Sequence, residues 1–391
     1  MRFLRPSGKS SDGDEVLYKR MVDVVNGWYN NDRVKGSVKF KEVVDVLKGE
    51  LMSGKRAVGA VFPSVTLVSR RFGIAHLTAV KVLNELKRLG LIRSYQGKGT
   101  FVVGRRRAIG LIVPALPKVE IFAPICHEIS TLCQDHDWLL YFFDEGSGDP
   151  KTIARRLRAQ VQKLIEENVA GVIYHPVDFC ADAGNINREV LALLRTAGLP
   201  VVLLDSDVES CGEDGGYDLV GIDNHEVGIA LGRHVLEAKA KKILFVMRCE
   251  WAVNSRKRLE GVKGAVSGVR AAHVDMALLA ESNERRFARA LKRRMPDAII
   301  CSSDSVAAQV LKVLAAIGKQ VPKDVIVVGI NDVEIARVTS PALTTIHQPC
   351  AAIARAVFET IEWRIRNPSA EARRIYLPAR LVVRASSRRE K

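Results

Sequence analysis

The residues of this chain whose types and spacing could do chemistry on their own are few, and most are cationic. The run Gln96-Gly97-Lys98-Gly99-Thr100 sets a lysine between two glycines, which lets backbone N–H groups and an ammonium come close to a phosphate. It is not a nucleotide-binding P-loop, because the upstream glycine and the Lys-Ser/Thr pair are missing; the plainer alternative is a hairpin turn. The charge around it is one-sided. Residues 51–107 hold 12 Lys or Arg against one acid, Glu85, and residues 1–107 hold 22 against 9, a balance of +13 out of +16 for the whole chain. Such a field attracts a polyanion, either nucleic acid or an anionic membrane surface, or it is a solvated face. Cys126, His127, Cys133 and His136 are metal-ligand types but fall on mixed faces of one expected helix, which makes them ordinary helix residues. No nucleophile elbow, catalytic carboxylate pair or metal motif is present, so neither an enzyme nor a cofactor is expected.

The elements that must carry these residues follow from periodicity. At 391 residues the chain exceeds one hydrophobic core, and two or more domains are expected. Residues 1–13 are polar and Gly/Ser-rich, the pattern of disorder. Leu17, Met21, Val24, Val25 and Trp28 then keep helical spacing from Asp14 to Asn31. A helix from Lys39 to Met52 should stop at Ser53-Gly54. Pro63-Ser64 opens a second helix to Phe72, broken by Gly73, and a third runs from His76 to Leu89, burying Ala79, Val80, Leu83 and Leu86. LIRSY, QGKG and TFVV then read as a hairpin. This order is that of a winged helix-turn-helix. Beyond the basic linker Gly104-Arg105-Arg106-Arg107, apolar runs alternate with helical segments: AIGLIVP, WLLYFF, AGVIY, PVVLLD, LVGID, KKILFVM, DAIICSS and DVIVVGI. That alternation implies parallel sheets covered on both faces, and eight strands over some 280 residues fit two doubly wound lobes. The expected division is 1–35 as an extension, 36–104 as the winged helix and 105–391 as the two-lobed domain. The seven cysteines are scattered without a CxxC pair and read as reduced thiols. No signal-peptide core and no apolar run long enough for a membrane span is present, which points to the cytoplasm and away from a membrane.

Residues 38–103, above all FPSVTLVSRRFGIAHLTAVKVLNELKRLGLIRSYQGKGTFV, resemble the GntR-type (gluconate-repressor) winged helix through Pro63, Ser64, Phe72, Gly73, Thr78, Leu83, Leu86, Gly90 and the Gly97-x-Gly99-Thr100-Phe101 wing. The family's Glu-Arg after Pro-Ser is Val65-Thr66 here, its Ser-Arg before the recognition helix is Ala75-His76, and its Arg after Thr-Val is Val80. Arg provides bidentate guanine contacts, so the family's operator preference does not carry over. The resemblance implies DNA contacts from Ser64, Arg70, Arg71, His76, Thr78, Lys81, Gly97, Lys98, Gly99 and Thr100.

Residues 108–386 resemble the sensor domain of the LacI/GalR (lactose- and galactose-repressor) family. PVVLLD, VGIDNHEVGIALGRHVLE, RLEGV, the stretch from Cys301 to Pro349 and LPARLVVRAS match it in order. The combination resembles arabinose-repressor-like regulators and implies an α/β fold, an N-terminal winged helix ahead of a two-lobed, doubly wound periplasmic-binding-protein-like domain. It further implies a homodimeric repressor that binds a double-stranded DNA operator under control of a small effector, a sugar. The effector residues so implied are Arg258, opening a helix after KKILFVM; Asp304 after DAIICSS; and Asn331 and Asp332 after DVIVVGI. A carboxylate and a guanidinium grip vicinal hydroxyls well, and purines fit the same grip. Asp304 is also placed to cap a helix beginning at Ser305, and Trp251 either stacks on a pyranose or packs. A soluble sugar-binding receptor would share the sensor fold, but it would need export and has no use for a basic head.

Overall fold

The computed structural model describes residues 40–52, 56, 58–103, 108–114, 120–146, 148–208 and 216–388. The segment 1–39 with its expected helix, the stop at Ser53-Gly54, the linker 104–107 and Cys211 lie outside them. The chain separates into two compact units, one ending at Arg105 and the other starting at Arg106.

In the first unit, helical spacing sets one apolar face on each of three helices. Helix α1 (Phe40–Met52) buries Val43, Val44 and Leu47, α2 (Val65–Phe72) buries Val68 and Phe72, and α3 (His76–Arg88) buries Ala79, Val82, Leu83 and Leu86. Val82 takes the place expected for Val80, because the i, i+3, i+4, i+7 set that starts at Ala79 passes through Val82, Leu83 and Leu86. Gly73, at φ 62°, turns the chain between α2 and α3. Strands β1 (Val61–Phe62), β2 (Ile92–Tyr95) and β3 (Gly99–Val102) form an antiparallel sheet in the order β1-β3-β2. The unit is a winged helix-turn-helix.

The second unit holds two six-stranded sheets. The first lobe contains β4 (Ala108–Val113), β5 (Leu139–Asp144), β6 (Gly171–Tyr174), β7 (Val201–Leu204) and β8 (Asp218–Gly221), with helices α4 (Phe122–Asp135), α5 (Pro150–Glu166) and α6 (Ala183–Thr196) between them. The second contains β9 (Lys242–Met247), β10 (His273–Leu278), β11 (Ala298–Cys301), β12 (Ile326–Asn331) and β13 (Thr344–His347). Helices α7 (Asn224–Glu237), α8 (Val253–Val266), α9 (Glu284–Arg293), α10 (Asp304–Ala316) and α11 (Glu334–Val338) belong with it. Helix α12 (Cys350–Arg366) returns to the first lobe and packs on β6, β7, β8 and α4. Strand β14 (Arg374–Tyr376) then completes the first sheet, in the order β14-β8-β7-β6-β4-β5, and β15 (Arg380–Val382) completes the second, in the order β10-β9-β11-β12-β13-β15. All pairings are parallel except β13 with β15.

Each of the eight expected strands is present. The chain crosses between lobes after β8, after β13 and between β14 and β15. In both sheets the second strand lies on one side of the first and the third on the other, so each lobe has a topological switch point, where ligands of such sheets sit. Among the described residues no helix is long and apolar enough to cross a membrane.

Candidate functional site

On the winged helix, the exposed side chains of α3 are His76, Leu77, Lys81, Asn84, Lys87 and Arg88, while Thr78 is half-buried. Leu77 is 75% exposed, an apolar side chain left in water on a face otherwise polar. Sequence reasoning passed over it, although its spacing from Lys81 puts both on one face. The wing is a tight turn: Gly97 has φ 73° and Gly99 φ 101°, conformations that disfavour a side chain. Lys98 N–H donates to Tyr95 O at 3.1 Å, so the lysine sits at the tip of the hairpin. Behind it Ser94 Oγ and Thr100 Oγ1 are hydrogen-bonded across the strands at 2.8 Å.

Two of the expected DNA residues have structural partners. Ser64 Oγ accepts from Leu67 N–H at 3.4 Å and caps α2. Arg71 is half-buried over the Phe72 ring and bound through both terminal nitrogens to Glu50 of α1, with Nη1 donating to Oε2 at 3.0 Å. Arg70 is exposed. Arg71→Ala is therefore expected to lower the unit's stability by about 1–3 kcal/mol, since it strands a partly buried carboxylate. Arg70→Ala should leave thermal melting unchanged and weaken DNA binding. Equal melting temperatures for the two variants would show that the Glu50 pair contributes nothing.

In the second unit the switch points of both sheets meet at a cavity with about 690 Å³ of unfilled space, its mouth included. From the first lobe come Glu120, Ile121, His175, Asp178, Phe179 and Asp205; from the second come Arg248, Cys249, Asn254, Ser255, Arg258 and Ser302, with Ser303, Ser305 and Asn331 beside them. His175 follows β6, Asp205 follows β7 and Arg248 follows β9, so the strands themselves deliver these groups.

Arg258 is buried in the middle of α8 rather than opening it. Its Nε donates to Asn224 Oδ1 at 2.7 Å and its Nη1 to Ser302 O at 2.8 Å. Burial lowers its pKa, with Asp205, Asp178 and Asp304 pulling the other way. Helices α7 and α8 approach closely enough for this only because they meet at glycines. A Cβ on Gly228 would lie 2.1 Å from Arg258 O, and one on Gly261 2.0 Å from His225 O.

Opposite Arg258, His175 Nε2 lies 3.7 Å from Asp205 Oδ2, which accepts from Asn254 Nδ2 at 2.9 Å. His175 Nδ1 and Asp205 Oδ1 are buried with no hydrogen-bond partner, as is Glu120 Oε2 at the cavity's edge. Burial works against a charged His175, but the hydrogen bond and charge of Asp205, with Asp178 and Glu145, outweigh it and raise the imidazole pKa. Burial raises the pKa of Asp178, whose Oδ1 accepts from Val253 N–H at 3.2 Å, and also that of Glu120.

The other expected effector residues divide. Asn331 lines the cavity at φ 125°, and its Oδ1 accepts from Gln348 Nε2 at 2.8 Å. Asp304 does not reach it. Its side chain is fully buried beneath the sheet, where Oδ1 accepts from Thr345 Oγ1 at 2.6 Å and Oδ2 from Val333 N–H at 3.1 Å. The cap of α10 is Ser303, whose Oγ accepts from Val306 N–H, and Asp304 is the helix's first residue. Asp332 faces a second, more open groove and is bound to Arg384 and to His347 Nδ1, the latter at 3.1 Å. Trp251 is 45% exposed in the turn before α8; its neighbours Cys249 and Ala252 line the cavity, and it does not. Among the described residues no group of three His, Cys, Asp or Glu is placed to hold a metal ion.

Residues 39–102 match the bacterial regulatory proteins of the gntR family, and residues 233–387 match the periplasmic binding protein-like domain. The ribose operon repressor of Haemophilus influenzae is 27% identical over 302 residues, 73% of this chain and 82% of that one. The HTH-type transcriptional repressor PurR of Vibrio campbellii is 27% identical over 327 residues, 80% of this chain and 90% of that one. A LacI family transcriptional regulator from Enterococcus faecalis, solved with bound ribose, superposes with a TM-score of 0.59 at 22% identity, over 71% of this chain and 98% of that one. Taken with the two units described above, these similarities make the chain a DNA-binding transcription regulator, with a gntR-type winged helix ahead of a two-lobed periplasmic binding protein-like domain.

Proposed function

We propose that the chain is a cytoplasmic, homodimeric repressor. In this reading residues 36–104 bind a palindromic operator, and residues 105–391 bind a sugar and hold the dimer together, with 1–35 as an extension. The observation that carries the effector is the cavity's set of unpartnered buried groups. An unmade hydrogen bond in a buried site costs about 1–3 kcal/mol, so Asp205 Oδ1, Glu120 Oε2 and His175 Nδ1 favour a ligand that supplies both donors and acceptors. Vicinal hydroxyls do this. Three acids, Glu120, Asp178 and Asp205, and three nitrogenous bases, Arg248, Arg258 and His175, line the cavity, a mixture of both kinds that suits a neutral polyol better than a sugar acid. A named relative that represses a ribose operon supports the same choice. In a thermal-shift screen, neutral sugars are expected to raise the melting temperature by mass action; stabilisation by none of them overturns the sugar.

For the dimer, the outer strand of each sheet leaves apolar side chains in water: Leu139 and Phe142 on β5, Met276 and Leu278 on β10. Edge strands of this kind are covered in soluble proteins, and a second copy would cover them. Two recognition helices also double the length of DNA read. If ~6 to 8 phosphates are contacted, affinity should fall roughly 10³- to 10⁴-fold between 50 and 200 mM salt. Lys98→Ala should weaken all sequences alike, whereas His76→Ala, Thr78→Ala and Leu77→Ala should alter preference, the last at a thymine methyl. Salt-independent binding, or a monomer on DNA at saturating protein, is the result that would sink this reading.

A further inference from the structure

Helix α9, on the second lobe between β10 and β11, carries a charge that the fold does not account for. The core requires Phe287 and Leu291, both buried, with Ala288 packed beside them. The exposed remainder is Arg285, Arg286, Arg289, Lys292 and Arg293, none of which has an ion pair or side-chain hydrogen bond among the described residues. The one acid on the helix, Glu284, faces Lys312 at 3.5 Å. Residues 281–294 hold six Lys or Arg against two acids, a balance of +4, whereas residues 108–391 as a whole reach only +3. The rest of the sensor is therefore slightly acidic, and its entire positive excess sits on this one element.

Local energetics oppose the arrangement. Arg285 with Arg289, Arg286 with Arg289, Arg289 with Lys292 and Arg289 with Arg293 are like-charge neighbours at i, i+3 or i, i+4, each destabilising by about 0.2–0.5 kcal/mol. Lys292 and Arg293 at the C-terminal turn suit the helix dipole, but Arg285 and Arg286 lie in the first turn, at the end where cations are unfavourable. Four of the five are Arg, whose fork matches phosphate oxygens two at a time. No exposed aromatic or large aliphatic side chain lies among them to anchor a protein partner. A row of guanidinium groups without an apolar centre is the surface that a phosphate backbone fits.

We propose that α9 is a second DNA-contacting surface, which binds duplex phosphates without regard to sequence and so adds to the contacts made by the winged helix. The reading of the winged helix and the effector cavity does not depend on it. The test uses the full chain with Arg285→Gln, Arg286→Gln and Arg289→Gln combined, and a non-specific duplex of about 200 base pairs. Its control is an equal loss of exposed charge elsewhere on the sensor, Lys151→Gln, Arg155→Gln and Lys323→Gln. Each phosphate contact contributes about 0.9 to the slope of log affinity against log salt. The α9 variant is expected to lower that slope by about 2 to 3, reduce affinity at 100 mM salt more than tenfold, and melt at the same or a higher temperature than the parent. The control should move neither slope nor melting. An unchanged slope for the α9 variant overturns the proposal, as does an equal fall in both variants, which would assign the effect to net charge. Loss of binding to vesicles of anionic lipid, with the DNA slope intact, would overturn it in favour of a membrane surface. Absence of DNA binding by the parent chain itself would instead count against the regulator.

Discussion

Arg258→Ala is expected to weaken sugar binding by roughly 30-fold to several thousandfold, because removing a buried, hydrogen-bonded charge from a ligand site costs about 2–5 kcal/mol. The guanidinium is held from two sides, by Asn224 at the start of α7 and by Ser302 O after β11, so a ligand in the cavity would meet it in a fixed orientation. Arg258→Lys should recover little, since an ammonium keeps the charge but not the fork. Asp205→Asn should produce a loss of similar size from the opposite wall. Binding of operator without ligand should persist in all three, as the winged helix is a separate unit. A ligand can shift DNA affinity only by its preference for one lobe arrangement over another, so the same variants should lose the ligand response. Calorimetry with the sugar found by screening decides the matter. Unchanged affinity in variants shown to be folded removes Arg258 and Asp205 from the site.

Asp304 is expected to act on stability instead, with a dependence on pH opposite to that of an ordinary ion-paired aspartate. Burial pushes its carboxyl pKa up to about 6, with Asp332 and Glu120 adding to the shift, while the hydrogen bonds from Thr345 and Val333 offset only part of it. A carboxyl whose pKa is higher in the folded state is held more tightly when protonated. Its contribution is full below pH ~4, is lost as pH rises to about 6, and amounts to about 3 kcal/mol across that window. Asp304→Asn should therefore flatten the stability profile between pH 4 and 6 and melt at least as high as the parent at pH 7.5. The amide can still accept from Val333 N–H and donate to a rotated Thr345 hydroxyl. Asp304→Ala should be less stable at every pH, having left two buried donors without an acceptor. Parallel stability curves for the parent and the Asn variant would show that Asp304 does not titrate in this window.

The difference between these two residues shows what the sequence could convey. Strands buried on both faces read as unbroken apolar runs, so AGVIY, PVVLLD and DVIVVGI were legible. Strand β10 was not, because it is an edge strand with Asp275 in water, nor was β13, whose Thr344 and Thr345 look like loop residues until their hydroxyls are paired. The strand ends that line the cavity were legible for the same reason as the strands, whereas Arg258 and Asn331 entered through the family resemblance, and Arg258 stands in mid-helix. Position after a strand does not reveal which way a side chain turns, however. Asp304 turns under the sheet into space left by Gly329, where a Cβ would stand 2.3 Å from Asp304 Oδ1. The ion pair of Arg71 was not legible because its partner, Glu50, lies 21 residues away. Asp178 and Asp205 were not singled out, because only the meeting of two lobes makes them neighbours of Val253 and Asn254.

The interleaving of the lobes bears on how the molecule is made. Strand β14 pairs with β8 and helix α12 packs on β6 and β7, with Arg364 Nε donating to Asp218 Oδ2 at 2.6 Å. The first sheet is therefore begun at Ala108 and finished only by Tyr376, near the end of the chain. At translation speeds of about 5–20 residues per second, roughly 10 to 50 seconds separate its first strand from its last. Throughout that interval a nascent chain carries a finished winged helix and a half-built sensor, with the edge of β8 open and the seat of α12 unfilled. A chain that stops inside α12 or before β14 thus carries a complete winged helix on a sensor whose first sheet is still open, and it lacks the surfaces through which that sensor would pair with a second copy and answer a ligand.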